Sequence, residues 1–316
     1  MLITGGIGFI GTNLALNLIS GGSNVTIWDT MDEKCGANKL HLLQVEGATV
    51  FNQKQCSIEK NIEVVASSDI IFHLAGATGH VSSMEHPEHD LDCNGSATLH
   101  LLDLCRNYNP KVKIIYTSTR QIYEHSNALI TEQNRIKPCD INGIHKYLSE
   151  QYLELYHQNY GIDYVILRLA NVYGPRQFIK DHSQGFIGWF INRAMLGEEI
   201  LLYLNGDQKR NIIYIDDVVN ALVLATKLHS EHRIFNICGE EISIRKIAET
   251  LLKLTGNGRI SKQEYKINHK TLLIKDILCS DQLFQTTASW HPQMGYLEGL
   301  HTTLAYFRQH EKHYLR

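Results

Sequence analysis

The opening eleven residues constrain the fold more than any other part of the sequence. Leu2 and Ile3 are the apolar end of a predicted strand. Three glycines follow in Thr4–Gly11 with the spacing G-x-x-G-x-x-G, before a helix predicted over Thr12–Ser20. One glycine allows a tight turn, one lets a pyrophosphate approach the backbone, and one lets the helix pack against the strand. Free amides at the helix start favour negative charge. The segment therefore predicts a dinucleotide-binding βαβ unit.

An acidic residue follows the second predicted strand. Val25–Trp28 is apolar and is followed by Asp29. This carboxylate comes roughly 20 residues after the glycine loop, as expected for a group that binds a ribose 2′-hydroxyl. A carboxylate there would repel the 2′-phosphate of NADP, so Asp29 favours NAD. The alternative is an ordinary glycine turn with a capping aspartate. The order of strand, glycine loop, helix and acidic residue argues against that alternative.

Apolar strands alternate with helices along the first half of the chain. The next predicted strands are Thr49–Phe51, Ile70–Leu74, Lys113–Thr117 and Tyr164–Arg168, and the predicted helices are Lys39–Val45, Ile62–Ser67, Ala97–Tyr108 and Leu148–Tyr160. This alternation is typical of an α/β fold with a Rossmann-type, doubly wound parallel sheet that binds ligands beyond the carboxyl ends of its strands. We expect a Rossmann domain over residues 1–170, which also receives a strand and a helix from about 211–237, and a smaller substrate-binding lobe over 171–316.

The composition narrows the class of protein. Of 316 residues, 30 are Lys+Arg and 33 are Asp+Glu, so no basic excess indicates nucleic-acid binding. No apolar run reaches the ~18 residues of a membrane span. Seven cysteines without a C-x-x-C pair indicate free thiols in a reducing compartment, and neither H-E-x-x-H nor paired Cys/His spacing suggests a metal. We expect a soluble, cytoplasmic protein without a bound metal.

Later motifs, taken in order, resemble those of a known family. They are Phe72–Ala77 with Asn94 after it, Tyr116–Thr119 with Ile122 and Tyr123, Lys146 with Glu150, Arg168–Pro175, Asn205–Arg210 with Tyr214–Val219, and Trp290–Pro292. Together with the glycine loop they resemble the extended short-chain dehydrogenase/reductases that modify nucleotide sugars, the NAD-dependent epimerase/dehydratase family. No single motif is decisive. Their order and spacing along nearly the whole chain carry the resemblance.

The resemblance implies NAD as the cofactor and a nucleotide-diphosphate sugar as the substrate. The implied NAD contacts are Gly5, Gly8, Phe9, Ile10, Gly11, Asp29, Ser57, Ile58, Leu74, Ala75, Ala77, Asn94, Thr117, Lys146 and Leu169. The implied substrate contacts are Thr119, Asn171, Arg176 and Arg210. Arg210 follows Asn205-Gly206-Asp207 closely, where a guanidinium can bind a diphosphate through two hydrogen bonds. The resemblance also suggests a homodimer formed by the predicted helices Ala97–Tyr108 and Leu148–Tyr160.

The catalytic residues implied by the resemblance are only partly present. In the family, a tyrosine phenol takes a proton from a sugar hydroxyl, and a lysine four residues later lowers the phenol pKa from its usual value near 10. Lys146 matches that lysine, and Ser118 and Thr119 match the hydroxyl segment, but position 142 is asparagine. The amide of Asn142 can form hydrogen bonds and cannot act as a general base near neutral pH.

Two other departures bear on the reaction and the cofactor. Sugar 4,6-dehydratases of this family carry an Asp-Glu pair after the residue that Thr119 matches. Here Arg120 and Gln121 stand in those positions, which argues against 4,6-dehydration. The segment Gln55–Ile58 lacks the aspartate with which the family usually contacts adenine. We therefore expect modestly weaker recognition of the adenine base, with the ribose and pyrophosphate contacts retained.

Three mechanisms are compatible with Asn142. In the first, another side chain replaces the phenol. The candidates are His80, His145, Tyr123 and Tyr147, and a helical His145 lies next to the face that carries residue 142. In the second, the substrate is already a keto sugar, and in the third the chain binds both ligands with little or no turnover. We expect NAD-dependent epimerisation of a nucleotide sugar. A dehydratase or 4-ketoreductase and a catalytically silent binding protein are the alternatives.

Overall fold

A computed structural model of the chain describes residues 1–32, 36–52, 58–124, 126, 128–180, 182–263 and 276–315. Ser57, one of the residues expected to contact NAD, lies outside the described residues. Ile58 and His80 are described through their backbone alone, each as the first residue of a helix.

Strands and helices alternate along most of the chain. The strands are β1 (Leu2–Thr4), β2 (Thr26–Asp29), β3 (Thr49–Asn52), β4 (Ile70–His73), β5 (Lys113–Thr119), β6 (Asp163–Leu169), β7 (Asn171–Tyr173), β8 (Glu199–Tyr203), β9 (Lys209–Tyr214), β10 (Ile234–Ile237), β11 (Glu240–Ser243) and β12 (Arg259–Gln263). The helices are α1 (Phe9–Ser20), α2 (Lys39–Gln44), α3 (Ile58–Ala66), α4 (His80–Glu85), α5 (Pro87–Leu91), α6 (Ala97–Tyr108), α7 (Ile141–Tyr160), α8 (Phe186–Met195), α9 (Ile215–Ala225), α10 (Ile244–Thr255), α11 (Gln282–Ala288), α12 (Tyr296–Gln309) and α13 (Glu311–Tyr314).

A seven-stranded parallel sheet in the order β10-β6-β5-β4-β1-β2-β3 forms the centre of the fold. On β1, for example, Ile3 pairs with Ile27 of β2 on one side and Phe72 of β4 on the other. The strand order reverses beside β1, so the carboxyl ends of β1 and β4 flank the crevice where a doubly wound sheet binds its ligand. The predicted Rossmann-type architecture is confirmed. Strand β10 joins this sheet from the second half of the chain.

Both faces of the large sheet are buried, as a parallel sheet requires. Ile3 and Phe72 belong to a buried hydrophobic cluster with side chains of α1 and α9. Leu2 and Ile71 belong to a second cluster with side chains of α3, α6 and α7. Neighbouring residues of one strand therefore serve opposite layers, because successive side chains of a strand point to opposite faces. The continuous apolar strands predicted from the sequence are explained by this two-sided burial.

A smaller lobe begins at the carboxyl end of β6. Only Ala170 separates β6 from β7, which belongs to a three-stranded sheet in the order β11-β9-β7. Strands β8 and β12 form a separate parallel pair, and helices α8 and α10 pack on each other and on this pair. Because β7 continues from β6, the lobe stands beside the strand ends at which the ligand crevice is expected.

The glycine loop packs tightly against the first turn of α1. Helix α1 begins at Phe9, three residues earlier than predicted, so Gly11 already lies inside the helix. A Cβ atom at Gly11 would stand 2.3 Å from the Gly5 carbonyl oxygen. Gly5 itself has a φ of +70°, and a Cβ there would lie 2.8 Å from the backbone of Ala75. Both positions therefore require glycine, one for close contact and one for its conformation as well.

Two buried histidines are held in the neutral form. His41 Nδ1 lies 2.8 Å from the Ile7 carbonyl oxygen, and its Nε2 lies 2.6 Å from the Tyr314 hydroxyl, which joins the C-terminal helix to the glycine loop. His73 Nδ1 lies 2.8 Å from the Thr4 hydroxyl. Burial lowers the pKa of His41 to about 4 and that of His73 to about 3. Neither imidazole therefore carries charge at neutral pH.

A buried ion pair joins β6 to α7. Arg168 donates to both carboxylate oxygens of Glu150, from Nε to Oε1 at 3.1 Å and from Nη2 to Oε2 at 2.6 Å. Its Nη1 donates to the Tyr123 hydroxyl at 2.6 Å, and that hydroxyl donates to Asn236 Oδ1 at 2.8 Å. All four residues are buried. The two charges are thus fully paired inside the core.

Replacing Arg168 with methionine should destabilise the protein strongly. Methionine fills a similar volume but leaves Glu150 as an unpaired buried carboxylate, which costs about 3–5 kcal/mol. Urea unfolding followed by circular dichroism measures this loss. The control is Arg106→Met, which removes an exposed ion pair with Asp103 and should leave the midpoint nearly unchanged. Equal midpoints for wild type and Arg168→Met would contradict the expectation.

Acidification should destabilise the protein through His41 and His73. The unfolded chain protonates both below about pH 6.5 while the fold resists protonation, so stability falls as the pH drops from about 6.5 towards about 4. The expected slope is about 1.4 kcal/mol per pH unit for each histidine. Urea midpoints across this pH range measure the slope. His41→Gln should remove the His41 share of the slope and leave the His73 share. A slope that His41→Gln leaves unchanged would refute this assignment.

Candidate active site

A large cleft opens at the carboxyl ends of β1, β2, β4, β5 and β6 and extends along the smaller lobe. Its volume is about 2050 Å³. Pockets for one small ligand typically measure ~300–1,000 Å³, so this cleft has room for two ligands of nucleotide size. Of the residues expected to contact NAD, its wall contains Gly5, Gly8, Phe9, Ile10, Gly11, Asp29, Leu74, Ala75, Thr117, Lys146 and Leu169.

The glycine loop brings the start of α1 to this cleft. Gly8 is the N-cap of α1, no side chain caps the helix, and its first turn has no acidic residue. The first amides and the positive end of the helix dipole are therefore available to an anion. Asp29 accepts hydrogen bonds from the Ile7 amide at 2.9 Å and the Met31 amide at 2.8 Å. Burial raises the pKa of Asp29, and these backbone hydrogen bonds oppose the shift.

The backbone after β4 passes close beneath the cleft. A Cβ atom at Gly76 would lie 2.5 Å from Asn94 Oδ1 and 3.0 Å from Lys146 Nζ. Ala77 and Asn94, both expected to contact NAD, lie behind the wall and are not part of it. Asn94 Nδ2 donates to the Ala77 carbonyl oxygen at 3.2 Å, and within the described part of the chain the buried Asn94 Oδ1 has no hydrogen-bond partner. These two residues therefore support the cleft wall.

Lys146 of α7 reaches the carboxyl end of β5. Its Nζ donates to the Thr117 carbonyl oxygen at 3.2 Å, and burial lowers the pKa of Lys146 to about 8. Ser118 and Thr119 line the same part of the cleft. Thr119 Oγ1 accepts from the Gln121 amide at 3.2 Å, whereas the buried Ser118 Oγ has no hydrogen-bond partner in the described segments. The predicted lysine and hydroxyl groups are thus brought to one place.

Asn142 also lines the cleft, and its orientation is set by two acceptors. Its Nδ2 donates to the Ala77 carbonyl oxygen and to Asp90 Oδ2, each at 2.9 Å. Carbonyl and carboxylate oxygens only accept, so both N–H groups of the amide are used. Asp90 is buried and also accepts from Asn94 Nδ2 at 3.1 Å and lies 2.8 Å from His145 Nδ1. A network centred on Asp90 therefore surrounds the position of the family's phenol.

Three of the candidate replacement bases, His145, Tyr147 and Tyr123, have side chains that other groups hold or that pack outside the cleft wall. His145 is not part of the wall, because its Nδ1 faces the Asp90 network. Tyr147 packs behind the wall in a small hydrophobic cluster. Tyr123 lines the cleft, but its hydroxyl donates to Asn236, and burial raises the pKa of this phenol. His80 lies at the start of α4, and the structure describes its backbone alone.

The lobe side of the cleft combines polar groups with aromatic rings. Arg210 of β9 and Asn171 of β7 line it, and Asn171 Nδ2 donates to the Asn211 carbonyl oxygen at 2.7 Å. Gln177 and Gln208 each hold a buried amide oxygen that has no hydrogen-bond partner among the described residues. The aromatic side chains on this side of the wall include Phe178, Phe186, Trp189, Phe190 and Tyr203. Rings of this kind can stack on a base, and unpartnered polar atoms can bind a polar ligand.

Arg176, expected from the sequence to contact substrate, lies outside the cleft wall. Its Nη1 donates to Asn13 Oδ1 and its Nε to Gln44 Oε1, both at 2.8 Å, and the guanidinium lies 5.1 Å from the centre of the Tyr306 ring. The residue has a φ of +73°, a left-handed conformation that is uncommon outside glycine. Arg176 therefore joins α1, α2 and α12, and its role as a substrate contact stays a prediction.

Sequence reasoning missed three polar residues of the cleft. Gln208 lies within the Asn205–Arg210 motif, and Gln177 follows the Arg168–Pro175 motif by two residues. Their places in or beside these motifs are the sequence signal from which both residues could be predicted. The sequence pattern at Arg120 indicates only that a dehydratase carboxylate is missing there, although Arg120 lines the cleft. Over the described part of the chain, no cluster of His, Cys, Asp and Glu side chains is arranged to hold a metal ion. Within the same residues, no helix combines the length and apolar character needed to cross a bilayer.

The chain is similar to known proteins over nearly its whole length. Residues 1–238 match the model of the NAD dependent epimerase/dehydratase family. A putative UDP-glucose 4-epimerase of Methanocaldococcus jannaschii is 27% identical over 315 residues, which are 99% of each chain. The crystal structure of Thermotoga maritima UDP-glucose 4-epimerase with UDP-glucose has 30% identity, covers 98% of this chain and 99% of its own, and has a TM-score of 0.86. The crystal structure of Thermus thermophilus UDP-glucose 4-epimerase in complex with NAD has 26% identity, 97% and 98% coverage, and a TM-score of 0.82.

The match to the family model spans the parts of the chain that build the cofactor side of the cleft. Residues 1–238 include the glycine loop, Asp29, the end of β5, Lys146 and every strand of the large sheet. The family's name confirms the cofactor predicted from the sequence, which is NAD. The chain belongs to the NAD-dependent epimerase/dehydratase family of extended short-chain dehydrogenase/reductases.

Proposed function

We propose that this protein binds NAD and a nucleotide-diphosphate sugar and epimerises the sugar by transient oxidation, with Asn142 in place of the family's tyrosine. One observation carries the proposal. The glycine loop, Lys146 and the hydroxyl residues at the end of β5 line a single cleft, opposite a wall of polar and aromatic side chains. The named relatives are UDP-glucose 4-epimerases, which supports an epimerase over other members of the family.

The residues of the cofactor side fit NAD. Gly5 and Gly11 leave open the space that a Cβ atom would fill, so a diphosphate can approach the backbone at the uncapped start of α1. Asp29 stands where a ribose hydroxyl can donate to its carboxylate, and the same charge disfavours the 2′-phosphate of NADP. When bound, NAD supplies the acceptor for a hydride from a sugar carbon and returns the hydride to it.

The lobe side of the cleft suits a nucleotide-diphosphate sugar. Arg210 is buried in the wall, and its Nη1 donates to the Lys209 carbonyl oxygen at 2.7 Å, which fixes the direction of the guanidinium. We propose that Arg210 binds the diphosphate, since its planar fork matches two phosphate oxygens. Asn171 and the unpartnered Gln208 oxygen are the proposed polar contacts, and the aromatic wall is the proposed site of the base.

Lys146 is the proposed base in the absence of the phenol. Burial lowers its pKa to about 8, so a substantial part of the amine is neutral near that pH and can accept the proton of a sugar hydroxyl. The positive charge of an oxidised nicotinamide nearby would lower the pKa further. Thr119 is the proposed hydroxyl that orients the substrate. Asn142, with both N–H groups held by fixed acceptors, can offer only its amide oxygen.

A homodimer is a further part of the proposal. Helices α6 and α7 lie side by side and present apolar side chains to the surface, namely Tyr108, Ile144, Leu155 and Tyr160. A second copy of the same two helices could cover these side chains in a four-helix arrangement. The large apolar residues at the surface therefore support the dimer expected from the family resemblance.

Gly11→Ala should weaken NAD binding. The added methyl group would lie 2.3 Å from the Gly5 carbonyl oxygen, so the loop and helix must separate. We expect a loss of affinity of at least about tenfold, or about 1.4 kcal/mol, by isothermal titration with NAD. The matched control is Gly21→Ala at the end of α1, where φ is −78° and the nearest atoms lie 3.5 Å away. Wild-type affinity for NAD in Gly11→Ala would argue against this cofactor site.

Turnover should rise with pH and level off by about pH 8 or below, because Lys146 acts as a base only after it has lost its proton and the charge of bound NAD lowers its pKa further. Initial rates of the NAD-loaded enzyme, followed by NMR with UDP-glucose as the probe, measure this profile. Lys146→Arg keeps the positive charge but cannot release a proton. This variant should still bind NAD and lose at least about 100-fold in kcat.

The pH profile and three further measurements on the NAD-loaded protein, which are NADH consumption, ligand binding and product formation, distinguish the alternative functions. A flat pH profile, or full activity in Lys146→Arg, would show that Lys146 is not the base. Net consumption of added NADH with a 4-keto sugar would identify a ketoreductase. Tight binding of NAD and nucleotide sugar, with no product across a panel of sugars and no transient NADH absorbance, would identify a catalytically silent binding protein.

A further inference from the structure

A second buried arginine, Arg120, lies in the cleft wall at the end where the reaction is proposed. It follows Thr119 directly, in the 3₁₀ turn Arg120–Ile122 that begins where β5 ends. Only 6% of its surface is exposed. Its Nη2 donates to Asn171 Oδ1 at 3.3 Å, whereas its buried Nη1 has no hydrogen-bond partner among the residues that the structure describes.

The charge of Arg120 has no carboxylate partner among the residues that the structure describes. The titratable groups that act on it are the thiols of Cys139, Cys238 and Cys279. A guanidinium keeps its proton in proteins, and burying it without a counter-charge is costly. Arg168, one strand away, is also buried but is paired with Glu150. The unbalanced charge at Arg120 is offset if an anion arrives with a ligand.

Asn171 holds the guanidinium of Arg120 at the cleft. The Asn171 amide oxygen accepts from Arg120, and its amide nitrogen donates to the Asn211 carbonyl oxygen at 2.7 Å. The amide cannot turn over without losing both hydrogen bonds, because the Asn211 carbonyl oxygen only accepts and the guanidinium only donates. Arg120 is thus held beside Thr119 in the cleft wall, and no acceptor among the described residues uses the N–H groups of its Nη1.

We propose that Arg120 binds a carboxylate carried by the sugar of the substrate, so that the preferred substrates are acidic nucleotide sugars such as nucleotide uronic acids. This inference rests on the proposed function above. A planar guanidinium matches the two oxygens of a carboxylate. Arg120 adjoins Thr119 at the sugar end, while Arg210 on the lobe is assigned to the diphosphate. Arg120 and Arg210 then bind two anionic groups of one ligand, the sugar carboxylate and the diphosphate.

Binding of three ligands to the NAD-loaded protein tests the assignment. Isothermal titration compares UDP-glucuronic acid, UDP-glucose and UDP on wild type and Arg120→Met. The variant should bind UDP-glucuronic acid about 10- to 100-fold more weakly. Its affinities for UDP-glucose and UDP should stay within about twofold of wild type. Arg120→Lys keeps the charge and loses the planar fork. Its affinity for UDP-glucuronic acid should therefore lie between those of wild type and Arg120→Met.

The other outcomes overturn the proposal. Unchanged affinity for UDP-glucuronic acid in Arg120→Met would show that the residue binds no sugar carboxylate. An equal loss for all three ligands would assign it to the diphosphate or to the fold. If wild type binds none of the three, the proposed function fails and this inference fails with it. Binding of UDP-glucose and UDP with no effect of Arg120 on the acidic sugar refutes this inference alone.

A melting experiment without substrate excludes a purely structural role. Arg120→Met removes a buried charge that has no carboxylate partner, so the variant should melt at or above the temperature of wild type. Arg168→Met, which breaks a complete buried pair, should melt well below it. A large drop for Arg120→Met would mean that the arginine supports the fold, and the proposal would be wrong.

Discussion

The close contact between the glycine loop and the first turn of α1 is the constraint on which the rest of the structure depends. Gly11 lies so near the Gly5 carbonyl oxygen that no side chain fits between them, and the Ile7 amide donates to Asp29 at the end of β2. These contacts set the uncapped amides of α1 at the carboxyl edge of the sheet. The reversal of strand order beside β1 then places the ends of β4 and β5 across the same crevice.

A buried carboxylate, Asp90, organises the catalytic end of that crevice. It is contacted by Asn94, Asn142 and His145, so its burial is compensated by hydrogen bonds. The same network limits the chemistry, because it orients Asn142 and directs His145 away from the cleft. Lys146 is then the titratable group of α7 that faces the cleft, and its burial favours the neutral amine that a base requires.

Short-range patterns explain which features could be predicted from the sequence. The order of strand, glycine loop, helix and Asp29 depends on neighbouring residues, and the large sheet follows from apolar strands that alternate with helices. Side-chain direction could not be predicted in the same way. The Arg176 guanidinium binds Asn13 and Gln44, and His145 is oriented by Asp90, 55 residues away in sequence. Nothing near Asp90 in the sequence distinguishes it from a surface residue of a polar helix, so the network could not be foreseen.

Two buried arginines, Arg168 and Arg120, differ in whether a carboxylate balances their charge. Arg168 and Arg120 lie at the ends of the adjacent strands β6 and β5, one paired with Glu150 and the other bonded to the amide of Asn171. The complete pair of Arg168 and Glu150 is explained by stability, since either charge left alone in the core would destabilise the fold. Arg120 has no carboxylate partner among the described residues, so its buried charge does not stabilise the fold. Its position beside Thr119 is better explained by the proposed binding of a substrate anion. Where 4,6-dehydratases of the family carry carboxylates for proton transfer, this chain carries a cation, and a cation at that point can recognise substrate but cannot move a proton.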